Sequence, residues 1–242
     1  DRFDHYPVEK FLDEGPERAV LIGLPGAGKT YSLRRAAARL AEKLHEACLS
    51  DPFNEKSVVV PILADLKLYR GDLAELVSQT LPRSLPLDEL TQRFNVKIFL
   101  DSFNEMPREY WESGCYESDF AKFTTRIGGS SLVITSRTSD GLGKLGLPAY
   151  CLDQIDEAAV TAELQRLGIE IEGPFYREVR LLLQRPFYFQ YVRSGAVILP
   201  KEAHPRDFHR VFFENLRKAF ATRFSRHLDI EKALSLAAYD AL

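Results

Sequence analysis

Residues 23–30 have the types and the spacing of a loop that binds phosphate. They match the pattern G-x-x-x-x-G-K-S/T at every position. In this pattern glycines allow a tight turn, and backbone N–H groups point at phosphate oxygens. Lys29 is expected to reach the outer phosphates, and the Thr30 hydroxyl is expected to bind Mg²⁺. The alternative is a glycine-rich turn with an incidental lysine. We predict that nucleotide is held by Gly23, Leu24, Pro25, Gly26, Ala27, Gly28, Lys29, Thr30 and Tyr31.

An apolar segment over residues 96–100 leads directly into the acidic residues Asp101 and Glu105. Ligands of open α/β sheets bind at the carboxyl ends of the strands, which is where Asp101 is expected. We expect Asp101 to hold Mg²⁺ through water, because this ion loses its own water reluctantly. Glu105 is expected to orient the attacking water of phosphoanhydride hydrolysis, or to accept its proton. The alternative is an ordinary turn rich in Asp and Asn.

A third candidate, Arg137, ends the segment Leu132-Val-Ile-Thr-Ser-Arg137. A guanidinium at the end of a strand near the phosphate loop could stabilise negative charge on the transferred phosphoryl group. The alternative is a surface arginine without a role in chemistry. We predict that Glu105, Arg137 and Lys29 form the catalytic group, and that Thr30 and Asp101 form the metal site.

These candidates need a framework of strands and helices in which they converge. Apolar segments and helical periodicities alternate along the first 153 residues, which favours crossover units and a parallel sheet. Pro61 favours an edge or near-edge position for the second strand, because proline cannot donate a ladder hydrogen bond. Strands are predicted over 19–23, 57–64, 96–101, 131–136 and 148–152, and helices over 29–49, 72–79 and 117–127.

After residue 153 the pattern becomes helical, with helices predicted over 157–167, 174–184, 186–194 and 206–238. We therefore predict an α/β fold of the P-loop NTPase type, in which helices sandwich a parallel sheet, followed by a small all-helical domain. The predicted divisions are a lead-in segment 1–17, an α/β domain 18–153 and a helical accessory domain 154–242. The last division includes the start of a further helical or winged-helix region.

Composition narrows the class of protein. Of 242 residues, 45% are hydrophobic and 28% are charged, which is typical of a folded globular protein. The net charge of −3 gives no basic excess, so direct binding of nucleic acid is not predicted. The apolar segments are too short for a membrane span.

Cys48, Cys115 and Cys151 form no CxxC pair, so we expect buried or half-buried thiols in a reducing cytoplasm. Since the chain begins at Asp1 without methionine, we expect a fragment of a longer protein.

Together the motifs resemble the NACHT branch of the STAND NTPases, which are relatives of the AAA+ ATPases. The resemblance covers nearly the whole chain and depends on four segments in a fixed order. A fifth segment, residues 60–71, is similar to the second strand of the family and the loop that follows it. The four segments are Val20-Leu-Ile-Gly-Leu-Pro-Gly-Ala-Gly-Lys-Thr30, Ile98-Phe-Leu-Asp-Ser-Phe-Asn-Glu105, Leu132-Val-Ile-Thr-Ser-Arg137 and Leu183-Gln-Arg-Pro-Phe-Tyr188.

The resemblance implies a slow ATPase that works as a switch between ADP-bound and ATP-bound forms, with Mg²⁺ as the metal. It further implies oligomerisation after a trigger is recognised by a sensor outside this chain, and a role in antiviral or innate immune defence, which we expect to be bacterial. It places Pro186 near the adenine. Two positions depart from the family: Ser102 stands where a small residue such as glycine is usual, and Asn104 where aspartate is usual. The alternatives are a motor ATPase of the AAA+ type, or a scaffold that binds nucleotide and rarely hydrolyses it.

Overall fold

Five apolar segments form one parallel sheet within the part of the chain that the structure describes. The computed structural model describes residues 7–49 and 54–210, together with residues 214 and 217. The strands lie in the order β2-β3-β4-β1-β5. Strands inside such a sheet are buried on both faces, and β3 and β4 are buried at every residue after the first. The strands are β1 (Arg18–Ile22), β2 (Val59–Asp65), β3 (Asn95–Asp101), β4 (Ser131–Ser136) and β5 (Ala149–Cys151).

Helices cover both faces of this sheet, as the sequence predicts. They are α1 (Val8–Glu14), α2 (Lys29–Cys48), α3 (Leu73–Ser78), α4 (Leu87–Arg93), α5 (Arg108–Ser113) and α6 (Cys115–Arg126). Successive strand residues point to opposite faces, so each strand contributes to two cores. On one face Leu33, Ala36 and Leu40 of α2 pack with α1 against Phe99 and Val133. The opposite face belongs to a larger core with α3, α4 and α6.

A short 3₁₀ turn follows β2 directly, another follows β3 after Ser102, and both carry side chains of the candidate site. Leu66–Leu68 follows β2, and Phe103–Glu105 follows β3. Because β2 and β3 pair in register from Val59 with Asn95 to Asp65 with Asp101, these turns start at the same level of the sheet. Two further 3₁₀ turns, Glu55–Ser57 and Leu142–Leu145, connect other elements.

The chain divides into two compact units, Asp1–Asp153 and Gln154–Leu242. The second unit contains α7 (Glu157–Arg166), α8 (Tyr176–Leu183) and α9 (Pro186–Arg193). The Asp156 side chain caps α7 by accepting hydrogen bonds from the next backbone N–H groups, at 2.7 and 3.2 Å. Residues 205–210 are also helical, and the rest of the helix predicted over 206–238 lies largely outside the described residues.

Several expectations about individual elements are tested by this fold. Strand β2 occupies an edge of the sheet, which confirms the expectation from Pro61. Helices α1, α4 and α5 were not expected from the sequence. The expectation of buried or half-buried thiols is wrong, because Cys48, Cys115 and Cys151 are all free and exposed. Among the described residues, no helix is long and apolar enough to cross a membrane.

Candidate functional site

The loop that follows β1 has a backbone only glycine adopts at low cost. Gly26 and Gly28 have φ of 80° and 90°, in the left-handed region that disfavours side chains. At Gly23 a side chain would place its Cβ 3.2 Å from the Cβ of Leu152, too close for ordinary packing. The Gly23 N–H donates to the carbonyl of Ser136 at 3.1 Å, which fixes the loop to the end of β4. Glycine is therefore favoured at Gly26 and Gly28 by the backbone angles, and at Gly23 by the close approach of Leu152.

Helix α2 begins at Lys29, directly after the left-handed Gly28. The first N–H groups of a helix have no acceptor inside it, and they carry the positive end of its dipole. The loop is open to solvent, because Leu24 is 49% exposed and Tyr31 is 67% exposed. Pro25 is also exposed and Thr30 is half-buried, whereas Ala27 is buried beneath the turn. An anion can therefore reach the start of α2.

The ammonium group of Lys29 lies within the loop. Its Nζ donates hydrogen bonds to the carbonyl of Gly23 and, at 3.2 Å, to that of Leu24. Burial lowers the pKa of Lys29, and the positive charge of Arg137 lowers this pKa further. The carboxylates of Asp101 and Glu105 raise the same pKa to a smaller extent. The charges of Arg137, Asp101 and Glu105 therefore all act on Lys29 at the carboxyl end of the sheet.

Asp101 lies at the end of β3 and is 7% exposed. Its Oδ1 accepts a hydrogen bond from the hydroxyl of Thr135 on the neighbouring strand β4. The same hydroxyl accepts a hydrogen bond from the N–H of Ser102 at 3.0 Å. Ser102 has φ of 65°, and is the one non-glycine residue with positive φ in the described chain. Thr135 thus fixes both Asp101 and the turn after it, a role that we did not predict.

Glu105 is held by two cations. Its Oε1 pairs with Arg137, and its Oε2 pairs with Nζ of Lys67 at 2.7 Å. Sequence reasoning missed Lys67. The hydrogen bond to Glu105 raises the pKa of Lys67, and neighbouring carboxylates contribute less to this rise. Asn104 accepts a hydrogen bond from the backbone N–H of Arg137 at 2.8 Å. The tip of β4 is therefore bound to the turn after β3 through both a side chain and the backbone.

The residues present fit a magnesium nucleotide. No group of three His, Cys, Asp or Glu side chains gathers around a metal position in the described residues. Mg²⁺ at nucleotide sites is commonly held by one or two protein oxygens together with phosphate and water, so Thr30 and Asp101 are a sufficient protein contribution. A backbone nest with a lysine beside it is the matching receptor for the polyphosphate.

Pro186 is placed by the structure at the first position of α9, where proline is favoured because its missing N–H would have no partner. It belongs to the second unit, so its predicted approach to the adenine stays a prediction. The predicted site residues of the first unit, in contrast, lie together at one end of the sheet.

No protein-family model matches the sequence, and no curated protein matches it. The chain is similar to several solved structures at low identity. The Orc1 protein of Aeropyrum pernix in complex with DNA is 15% identical with a TM-score of 0.45, over 97% of this chain and 69% of that chain. A STAND protein with a tetratricopeptide repeat sensor from Pyrococcus horikoshii is 13% identical with a TM-score of 0.43, over 85% and 31%. AMPPCP-bound DnaA from Aquifex aeolicus is 12% identical with a TM-score of 0.41, over 95% and 64%. These values are too low to carry a function to this chain.

Proposed function

We propose that this chain is an ATP-binding module that hydrolyses ATP slowly with Mg²⁺ and acts as a switch. The observation that carries the proposal is the convergence at one sheet end of Lys29, Asp101, Glu105 and Arg137, beside a glycine loop that opens a helix. Phosphate binding alone would need only the loop and Lys29. The additional carboxylates and the arginine are the groups that phosphoryl transfer requires.

Each residue has a distinct part in the proposed reaction. The magnesium nucleotide supplies the phosphoanhydride bond and the metal charge. Lys29 exchanges the carbonyls of Gly23 and Leu24 for the outer phosphates, so its ammonium remains hydrogen-bonded. Glu105 orients water at the terminal phosphate, and Arg137 stabilises negative charge that develops there. Asp101 and Thr30 would hold Mg²⁺.

Equilibrium titration with fluorescent ATP and ADP analogues in the presence of Mg²⁺ tests the site. We expect Lys29→Ala to weaken triphosphate binding about ten- to a hundredfold, since a charge-assisted contact is removed. Lys43→Ala is the matched control, because Lys43 lies exposed on the same helix and far along it. Equal affinity of wild type and Lys29→Ala would refute the site.

A scaffold that retains nucleotide with little hydrolysis is the second candidate. The pairing of Glu105 with both Lys67 and Arg137 favours it, because both oxygens of the carboxylate are already engaged with cations rather than with a water molecule. The neutral Asn104 also removes one acid from the site. Turnover of ATP by wild type and Glu105→Gln separates the two candidates. A switch hydrolyses slowly and loses this activity with Glu105→Gln, whereas a scaffold shows no difference.

The resemblance to NACHT proteins supports a wider proposal, for a longer protein that would contain this chain. In it, ADP and ATP favour different arrangements of the α/β and helical domains, and only differential affinity for the two can shift the population. The ATP form assembles into a homo-oligomer after a trigger protein is recognised, in the cytoplasm and without direct nucleic-acid binding by this segment. Light scattering with AMPPCP or ADP tests assembly. Survival of phage-infected cells that express the longer protein, with and without Lys29→Ala, tests the defence role.

A further inference from the structure

The two cations that hold Glu105 bind different oxygens of its carboxylate. Arg137 pairs with Oε1, and the ammonium of Lys67 lies 2.7 Å from Oε2. The two contacts therefore do not compete, and either cation can leave while the other stays. The Glu105 side chain is 24% exposed, which makes the loss of a partner more costly than at a fully hydrated carboxylate.

The strand order explains why these two cations meet at Glu105. Strand β3 lies between β2 and β4, so the turn after β3 has a neighbour on each side. Asp65 of β2 pairs in register with Asp101, which places Lys67 beside the turn Phe103–Glu105. Strand β4 approaches from the other side and ends one residue before Arg137. The strand order therefore places one cation on each side of Glu105, Lys67 after β2 and Arg137 after β4.

Lys67 is carried on a turn that is fixed to the core. Its backbone N–H donates to the Asp65 carboxylate at 3.0 Å, and the adjacent Leu66 is fully buried. Tyr69 is fully buried as well, and its hydroxyl donates to Asp119 at 2.8 Å. The position of Lys67 next to Glu105 is therefore set by the fold. The Arg137 backbone is held as well, since its N–H donates to Asn104 at 2.8 Å, but its side chain is 48% exposed, so only the guanidinium has to turn away from Glu105.

A triphosphate bound at the loop would attract the guanidinium of Arg137 to its terminal phosphate. If Arg137 turns from Glu105 towards the terminal phosphate, Glu105 loses one counter-charge while negative charge is added to the site. A carboxylate without a cation at this point would repel the phosphate. Lys67 can remain on Oε2 throughout, because it does not share an oxygen with Arg137. A diphosphate lacks the terminal phosphate, so it attracts Arg137 away from Glu105 less strongly.

We propose that Lys67 is a positioning residue that retains Glu105 when Arg137 moves to the terminal phosphate, and thereby favours triphosphate over diphosphate. This inference rests on the proposed function, since it requires nucleotide at the loop. Lys67 acts through Glu105 and does not touch the nucleotide. Its contribution is measured by the ratio of the two affinities, which requires no hydrolysis.

The test is equilibrium binding of AMPPCP and ADP, each with Mg²⁺, to the whole chain. We expect Lys67→Met to weaken AMPPCP binding about fivefold more than ADP binding, the effect of one partly exposed ion pair. Lys67→Arg keeps the charge and should keep the wild-type ratio. Lys122→Met is the matched control, because Lys122 is exposed on α6, on a different element from the site.

A second background separates positioning from general electrostatics. In Glu105→Gln the amide has no charge to neutralise, so adding Lys67→Met should leave the ratio unchanged within about twofold. A penalty that persists in Glu105→Gln, or that affects AMPPCP and ADP equally, overturns the inference. In either case wild type still binds nucleotide in a Lys29-dependent way. Absence of such binding in wild type would instead overturn the proposed function, and this inference with it.

Discussion

The side-chain carbonyl of Asn104 accepts a hydrogen bond from the backbone N–H of Arg137 at 2.8 Å. Asn104, one of the two positions at which this chain differs from the NACHT pattern that it resembles, therefore has a structural task, which is to tie the end of β4 to the turn after β3. Aspartate can accept the same hydrogen bond, since its carboxylate oxygens are also acceptors. The amide in this chain preserves the connection and omits the charge.

Replacing Asn104 by aspartate should therefore leave the fold intact and increase ATP turnover several-fold, because a second carboxylate is restored beside Glu105. Asn104→Ala should instead lose about 1 kcal/mol of stability, since the Arg137 N–H loses its acceptor. Steady-state hydrolysis at saturating ATP and denaturant unfolding check the two expectations. Turnover that stays at the wild-type level in Asn104→Asp would show that the missing acid does not limit hydrolysis.

Thr135 offers a second test, because its buried hydroxyl serves two partners. Thr135→Val removes the donor to Asp101 and the acceptor for the Ser102 N–H, so we expect a loss of about 2 kcal/mol. Thr135→Ser keeps the hydroxyl and should lose only about 1 kcal/mol from the missing methyl group. Trp111, the single tryptophan, reports unfolding of this unit because its ring packs 5.1 Å from that of Phe103. Equal losses in the two variants would contradict the bridging role.

The sequence was sufficient to predict the parts of the site that depend on local chemistry. The spacing of Gly23, Gly28 and Lys29 indicates a phosphate loop wherever the chain places it, because the backbone of the loop itself needs these residues. Asp101 was expected at a strand end because an apolar segment runs into it. The predicted strand over 131–136 matches β4 (Ser131–Ser136).

The features of the fold and site that were not predicted depend on which strands become neighbours in the sheet. A local sequence pattern does not contain that information. Lys67 meets Glu105 only because β2 lies beside β3, which Pro61 could not specify beyond an edge position. Helices α1, α4 and α5 have six or seven residues, so each shows little of a helical period, although α3, which is equally short, was predicted. The thiols were misjudged because Cys48 and Cys115 occupy the ends of helices, where side chains meet solvent.

The affinity for triphosphate should depend on alkaline pH through Lys29. Burial and the charge of Arg137 lower the pKa of Lys29 in the free protein, whereas bound phosphate favours the ammonium form. Above the lowered pKa of Lys29 in the free protein, binding of triphosphate therefore takes up a proton. The affinity for triphosphate should fall as pH rises from that pKa towards 10.5, by at most about tenfold per pH unit. Titration with AMPPCP between about pH 7.5 and 10 follows the charge of this lysine. Lys29→Arg keeps its charge in this range, and a steep fall in that variant would assign the effect elsewhere.

Lys97 is a buried cation far from the phosphate loop, at the opposite end of β3. It is 5% exposed, and among the described residues its Nζ donates a long hydrogen bond, 3.4 Å, to the carbonyl of Asp13 near the end of α1. Burial lowers the pKa of Lys97, and the charge of Asp13 offsets this in part. The folded state therefore disfavours the ammonium, while the unfolded chain holds its proton up to the ordinary value of 10.5.

It follows that Lys97 lowers stability near neutral pH, and that this cost declines as pH rises from its lowered pKa towards 10.5. Lys97→Met should gain about 1 kcal/mol at pH 7, because a methionine fills similar space without a charge. The gain should shrink at alkaline pH, where wild-type Lys97 has already lost its proton. Denaturant unfolding at both pH values, with Lys43→Met as the exposed control, measures this difference. A variant less stable than wild type at pH 7 would mean that the contact with Asp13 outweighs the burial of the charge, and that Lys97 holds α1 in place.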